Sequence, residues 1–227
     1  MTTTPARLGL FGGTFNPIHV GHLHAAEEAA EALALDRVVF LPSAVPPHKA
    51  SARGDAIAPA RHRLEWVRLA TEGNPRFSVD ALELEREGPS YSVDTLRTFR
   101  KREGDVETVF LIGLDAFAEI GSWREPEALF ELTHFAVFPR TPSNPGALAE
   151  WIPDCVKAEI LLAPDGRSGR HARAGTWIRL LSIRPLDVSA SELRERLREG
   201  RSVRYLVPDA VRRAILESGA YAAREAH

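Results

Sequence analysis

Strand-length apolar runs that alternate with helix-patterned stretches predict an α/β chain. The expected form is a Rossmann-like, doubly wound, mostly parallel sheet with helices on both faces and a small C-terminal helical portion. Three observations carry this. Leu8-Gly9-Leu10-Phe11, Val38-Val39-Phe40-Leu41, Val109-Phe110-Leu111-Ile112 and His134-Phe135-Ala136-Val137-Phe138 are nearly continuous apolar runs, as strands covered on both faces must be. They stop at Gly12, Pro42, Gly113 and Pro139, residues that punctuate regular structure. An Ala, Glu and Leu stretch from about Val20 to Leu35 separates the first two runs and suits a crossover helix.

The first βαβ unit is therefore complete by Pro42. Arg61 to Thr71 has helical spacing, with Leu64, Val67 and Leu69 on neighbouring faces. Phe77 to Leu84 reads as a strand and Val93 to Arg102 as a helix. Pro139 to Gly146 and Asp165 to Gly175 read as loops, and Trp177 to Leu186 as a late strand. Ser189-Ala190-Ser191-Glu192 has the spacing of a capping box and starts a helix whose Leu193 and Leu197 face inward. Pro208-Asp209 opens a last helix and Gly219 closes it. The chain reads as one domain, 1–227, with a core over about 6–186 and the helical part over about 187–227.

Charge narrows the partners. The 227 residues carry 29 Lys+Arg against 31 Asp+Glu, a net charge of −2. That balance does not suit a protein that coats nucleic acid, so any bound anion must be held locally. Cys155 is the only cysteine, which excludes an internal disulfide and a cysteine-built zinc site and fits the cytoplasm. No run approaches the roughly 18 apolar residues of a membrane span, and the N-terminus lacks a signal-peptide pattern. Monomer and homo-oligomer are equally open.

The segment Gly12-Gly13-Thr14-Phe15-Asn16-Pro17-Ile18-His19-Val20-Gly21-His22 joins the first strand to the first helix. In a parallel sheet this junction lies at the carboxyl edge, where a helix N-terminus offers backbone N–H groups to an anion. The glycine pair permits close approach, Thr14 adds a hydroxyl, and His19 and His22 project from the helix start. Taken singly, the glycines could merely turn the chain and the histidines decorate a helix end; together they favour a site. The segment is neither Gly-x-Gly-x-x-Gly nor a Gly-Lys-Ser/Thr phosphate loop. His24 could complete a metal-binding set with His19 and His22, but positions two apart on a helix diverge.

Other candidates are ambiguous by spacing alone. Ser189 and Ser191 at a helix N-terminus, with Arg194 one turn on, offer a second anion site, or Arg194 is one solvated arginine among Arg196, Arg198 and Arg201. Lys49 follows a strand end where phosphates bind, or sits on a surface loop. Asp115, after Gly113, accepts ribose hydroxyls or caps a helix. Trp123 and Tyr91 stack on a ring ligand or pack the interior.

The Gly12-to-His22 segment resembles the signature of the nucleotidyltransferase superfamily, and taken with the segments that follow the chain is most similar to the bacterial nicotinate mononucleotide adenylyltransferases. Pro42-Ser43-Ala44-Val45-Pro46-Pro47-His48-Lys49 resembles the family's loop after the second strand. Pro89 to Leu96 resembles its nicotinate-contacting segment, with Ser92 where threonine is usual. Ile112-Gly113-Leu114-Asp115 and Trp123 resemble its Gly-Ala-Asp and downstream Trp, with Leu114 for alanine. Asp187 to Arg194 resembles its C-terminal Ser-Ser-Thr-x-Ile-Arg motif, conservatively altered. Tyr205 to Pro208 and Gly219 to Tyr221 extend the match to nearly the whole chain.

The resemblance implies transfer of the adenylyl group of ATP to nicotinate mononucleotide, giving nicotinate adenine dinucleotide and pyrophosphate, with Mg2+ carried by ATP. It implies that His19, His22, Lys49 and Arg194 are catalytic. Gly12, Gly13, Thr14, Phe15, His22, Gly113, Asp115, Ser189, Ser191 and Arg194 would contact ATP. Thr14, His19, His48, Lys49, Tyr91, Ser92, Asp115 and Trp123 would contact nicotinate mononucleotide. The alternatives are a relative acting on nicotinamide mononucleotide or another phosphorylated acceptor, and a nucleotide sensor without turnover.

Overall fold

The computed structural model describes residues 6–45, 57–104, 106–139 and 146–222. Among these, eight strands form one sheet: β1 (Arg7–Gly13), β2 (Arg37–Pro42), β3 (Phe77–Val79), β4 (Glu107–Gly113), β5 (His134–Phe138), β6 (Ile160–Leu162), β7 (Ser168–His171) and β8 (Trp177–Leu180). Their order is β3-β2-β1-β4-β5-β8-β7-β6. The first six in that order are parallel, and β7 and β6 add an antiparallel hairpin. The doubly wound, mostly parallel sheet is therefore present.

The period-two alternation of the strands divides the interior in two. Phe11, Val38, Phe40, Val109, Leu111 and Ala136 pack with α1 (Val20–Leu33), α2 (Ala60–Thr71), α7 (Ala190–Arg198) and α8 (Asp209–Ser218). Leu10, Val39, Leu41, Phe110, Ile112 and Phe135 pack on the other face with α3 (Ser92–Glu103), α4 (Leu114–Ala118), α5 (Pro126–Leu132) and α6 (Asp154–Lys157). Along α1 the buried stripe is Ala25, Ala26, Ala29 and Ala30, small side chains that let the helix lie close to the sheet. The C-terminal helices share the first core through Leu193, Val211 and Ile215, with Leu197 packed against it.

Three sequence expectations are corrected. β3 stops at Val79, well before Leu84, because the Asp80 carboxylate accepts the Leu82 N–H and the Ala81 carbonyl accepts the Leu84 N–H, folding the chain into turns. The expected loop from Asp165 to Gly175 contains β7: Asp165 accepts the N–H groups of Arg167 and Ser168, and Ser-Gly-Arg-His then pairs with β8. Its pairing rests on backbone groups, so no apolar pattern announces it. The late strand ends at Leu180 because its partner β5 reaches only Phe138, before Pro139. No helix among the described residues is long and apolar enough to cross a membrane.

Candidate active site

The sheet reverses its winding direction between β1 and β4, the position where a doubly wound sheet opens a crevice at its carboxyl edge. The register makes the opening visible. β1 pairs with β2 as far as Gly13 opposite Pro42, but with β4 only as far as Leu10 opposite Phe110. Beyond that rung the two strands part, leaving Gly12-Gly13 on one lip and Ile112-Gly113 on the other.

On the β1 lip the loop folds back on itself. Phe15 takes a left-handed backbone (φ 45°) and returns its ring to within 2.9 Å of where a Gly13 Cβ would stand. Any side chain at position 13 would displace it. His19 is the N-cap of α1, and its backbone N–H donates to His22 Nδ1 at 3.2 Å. A neutral His22 ring that accepts at Nδ1 carries its proton at Nε2, so it presents a donor from its outer side. The two imidazoles lie 3.7 Å apart between centroids, and a Gly21 Cβ would come within 3.0 Å of His19 Nδ1. That contact is the physical reason for glycine between the histidines. His24 diverges as expected and donates from Nε2 to the Arg184 carbonyl at 2.7 Å.

Buried side chains from distant segments hold this loop by its backbone. Arg63 of α2, 1% exposed, donates to the carbonyls of Thr14 (2.6 Å), Ala44 (3.0 Å) and Ala58 (2.9 Å). Arg194 of α7, 8% exposed, donates to the Asn16 carbonyl at 2.9 Å and to Ser191 Oγ at 3.2 Å. The Asn16 side-chain oxygen accepts from the Tyr221 hydroxyl and from the Ala58 N–H. Val20 N–H donates to the Leu206 carbonyl, tying the start of α1 to the α7–α8 connection. Segments far apart in sequence thus converge on one lip. Ser189 caps α7 by accepting the Glu192 N–H, the one half of the expected capping box that forms among the described contacts.

The β4 lip is built differently. Gly113 caps α4, placing exposed Asp115 in its first turn. Trp123 is half-buried, with its ring edge toward Phe110 at 6.5 Å, and Phe110 lies beneath Gly12. Tyr91 is the N-cap of α3, with Ser92 as its first residue, and its ring is covered by Arg124 at 4.7 Å. Beneath them Glu83 is buried, and burial pushes its carboxyl above the usual range against hydrogen bonds from Thr95 and Ser90. Ser90 Oγ also accepts the Ala44 N–H, linking this lip back to the end of β2.

The structure therefore gathers Gly12, Gly13, Thr14, Phe15, His19, His22, Ser191 and Arg194 around one lip, and Gly113, Asp115, Tyr91, Ser92 and Trp123 along the other. His48 and Lys49 lie outside the described residues. Sequence reading missed Arg63. Its signal was an arginine in register with Trp66 and Val67 on the buried stripe of α2. Openings of about 480 and 520 Å3 lie elsewhere, over α2 and β3 and at the amino edge of the sheet.

The crevice at the switch point is framed by paired histidines and by a second helix start with its arginine. Residues 10–196 match the family model described as cytidylyltransferase-like. A protein of Citrifermentans bemidjiense named probable nicotinate-nucleotide adenylyltransferase is 44% identical over 95% of this chain and 98% of its own. A Chromohalobacter salexigens protein of the same name is 40% identical over 96% and 97%. The solved Plasmodium falciparum nicotinic acid mononucleotide adenylyltransferase complexed with NaAD superposes with a TM-score of 0.68 at 15% identity, over 95% of this chain and 97% of that one, a likeness of fold. The chain belongs to the cytidylyltransferase-like family and, within it, to the nicotinate-nucleotide adenylyltransferases.

Proposed function

We propose that the protein transfers the adenylyl group of ATP to nicotinate mononucleotide, forming nicotinate adenine dinucleotide and releasing pyrophosphate. The observation that carries this reading is the meeting of the His19–His22 helix start with Arg194 on one lip of a crevice whose other lip bears Asp115, Tyr91 and Trp123. In the reaction the acceptor's phosphate oxygen attacks the α-phosphorus of ATP, the bond to the β-phosphate oxygen breaks, and pyrophosphate leaves with that electron pair. Charge spreads over the phosphoryl oxygens, so positioned donors suffice and no covalent intermediate is needed.

In this reading His22 donates from Nε2 to the α-phosphate and His19 supports it, while Arg194, with Ser189 and Ser191, faces the departing pyrophosphate. Gly12, Gly13, Thr14 and Phe15 line the adenylyl path, and Gly113 and Asp115 take the ribose. Tyr91, Ser92 and Trp123 hold the nicotinate ring, with His48 and Lys49 assigned by resemblance. The donors around the crevice are imidazole, hydroxyl, guanidinium and backbone groups, a set that fits a triphosphate better than a bare cation. The divalent ion would therefore enter as Mg2+ on ATP, held by phosphate and water oxygens rather than by this chain. One domain working in the cytoplasm, without a nucleic-acid partner, completes the proposal.

The test is pyrophosphate release with MgATP and a panel of acceptors. Release that requires nicotinate mononucleotide, and falls with nicotinamide mononucleotide or with CTP as donor, is expected. ATP binding without release under any acceptor would make the protein a sensor instead.

A further inference from the structure

Arg63 sits where an aliphatic side chain would be cheaper. It shares the inward stripe of α2 with Trp66 and Val67, and its hydrogen bonds among the described residues all end on backbone carbonyls rather than on a carboxylate. Burying a guanidinium against neutral dipoles is costly, so its retention calls for a geometric or electrostatic return. The three carbonyls identify that return. Thr14 follows the tip of β1 and Ala44 follows the tip of β2, the two strands joined at the Gly13–Pro42 rung. Ala58 lies just before α2, and its N–H is held in turn by the Asn16 side-chain oxygen.

A planar trans peptide points its C=O and N–H in opposite directions. With the Thr14 carbonyl drawn to Arg63 at 2.6 Å, the Phe15 N–H is turned away from α2. We propose that Arg63 is a positioning residue for the adenylyl donor: it fixes the loop between β1 and α1 so that backbone N–H groups face the phosphates, and its charge, met among the described residues by carbonyl dipoles, favours the arrival of a polyanion. This inference rests on the adenylyl-transfer reading for its role in turnover, but not for its effect on ATP binding.

The experiment compares the parent protein with Arg63→Lys, which keeps charge but loses the three-way fork, and Arg63→Ala, each checked for folding by thermal melt. MgATP binding is titrated calorimetrically, and steady-state kinetics are taken with each substrate varied. In Arg63→Lys, ATP binding and kcat/KM for ATP are expected to fall by about tenfold or more, while KM for the acceptor moves by less than about threefold. Millimolar guanidinium ion should restore part of the activity of Arg63→Ala, and methylammonium should not. A folded Arg63→Lys protein that binds and turns over MgATP like the parent overturns the proposal. So does a loss that only tracks the unfolded fraction, without guanidinium rescue. A parent that releases no pyrophosphate sinks the transfer reading instead, and the ATP titration still judges Arg63.

Discussion

The two edges of one sheet spend the same residue types in opposite ways. At the amino edge β1 and β4 are in register, Arg7 opposite Glu107, and side chains answer side chains. Arg7 Nε reaches Glu107 at 3.0 Å, Trp177 Nε1 donates to the same carboxylate at 3.2 Å, and His134 stacks on Trp177 at 4.7 Å while accepting its backbone N–H. At the carboxyl edge the same two strands part, and Arg63 and Arg194 donate to backbone carbonyls while His22 accepts the His19 N–H. A closed network of side chains stabilises; a guanidinium such as Arg63, whose hydrogen bonds among the described residues end on carbonyl dipoles, keeps positive potential for an incoming anion.

The largest effect expected from this contrast is at His22. His22→Ala should lower kcat by about a hundredfold or more with ATP affinity changed only severalfold, as for a donor that acts mainly in the transition state. Single-turnover kinetics alongside ATP titration checks it, and equal losses in both would make His22 a ground-state contact. Arg194→Lys keeps charge but cannot reach Asn16 and Ser191 with the same fork. Turnover about tenfold lower is expected, and a parental rate would confine Arg194 to holding the Asn16 backbone.

Across the crevice, Trp123→Ala should raise KM for nicotinate mononucleotide by roughly tenfold and leave KM for ATP alone, on the scale of one lost ring-stacking contact. A shift in the ATP value instead would exchange the two lips.

The smallest effect lies at the amino edge. Burial, partly opposed by Glu107, lowers the His134 pKa from 6.5 to about 4. The unfolded chain then binds more protons than the folded one between these values, so stability falls as pH drops from about 6.5 toward 4. His134→Asn retains an acceptor for the Trp177 N–H and cannot titrate. Its denaturation midpoint should show a flatter pH dependence over that window with turnover unchanged, and an unaltered slope would place the acid sensitivity elsewhere.

The parallel core was legible because strands buried on both faces must be apolar throughout, as Val38–Leu41 and Val109–Ile112 are. The hairpin at Ser168–His171 was not, because two antiparallel strands at a sheet edge can pair through backbone groups alone. The same division holds in the site. Glycine and histidine at a strand-to-helix junction carry local chemistry that spacing exposes, and Gly13 and Gly21 have the tight neighbours such spacing implies. Arg63 acts across 49 positions on Thr14 and Arg194 across 178 on Asn16, and no local pattern encodes a bond to a distant carbonyl. The resemblance supplied Arg194; only the inward stripe of α2 pointed to Arg63.

Opposed nucleotides across one crevice require a single in-line displacement at the α-phosphorus of ATP. The direct test uses ATP made chiral at that phosphorus by sulfur substitution, with nicotinate mononucleotide as acceptor. Inversion of configuration in the dinucleotide product is the expected result. Retention would mean two displacements through an adenylylated enzyme and would contradict the account.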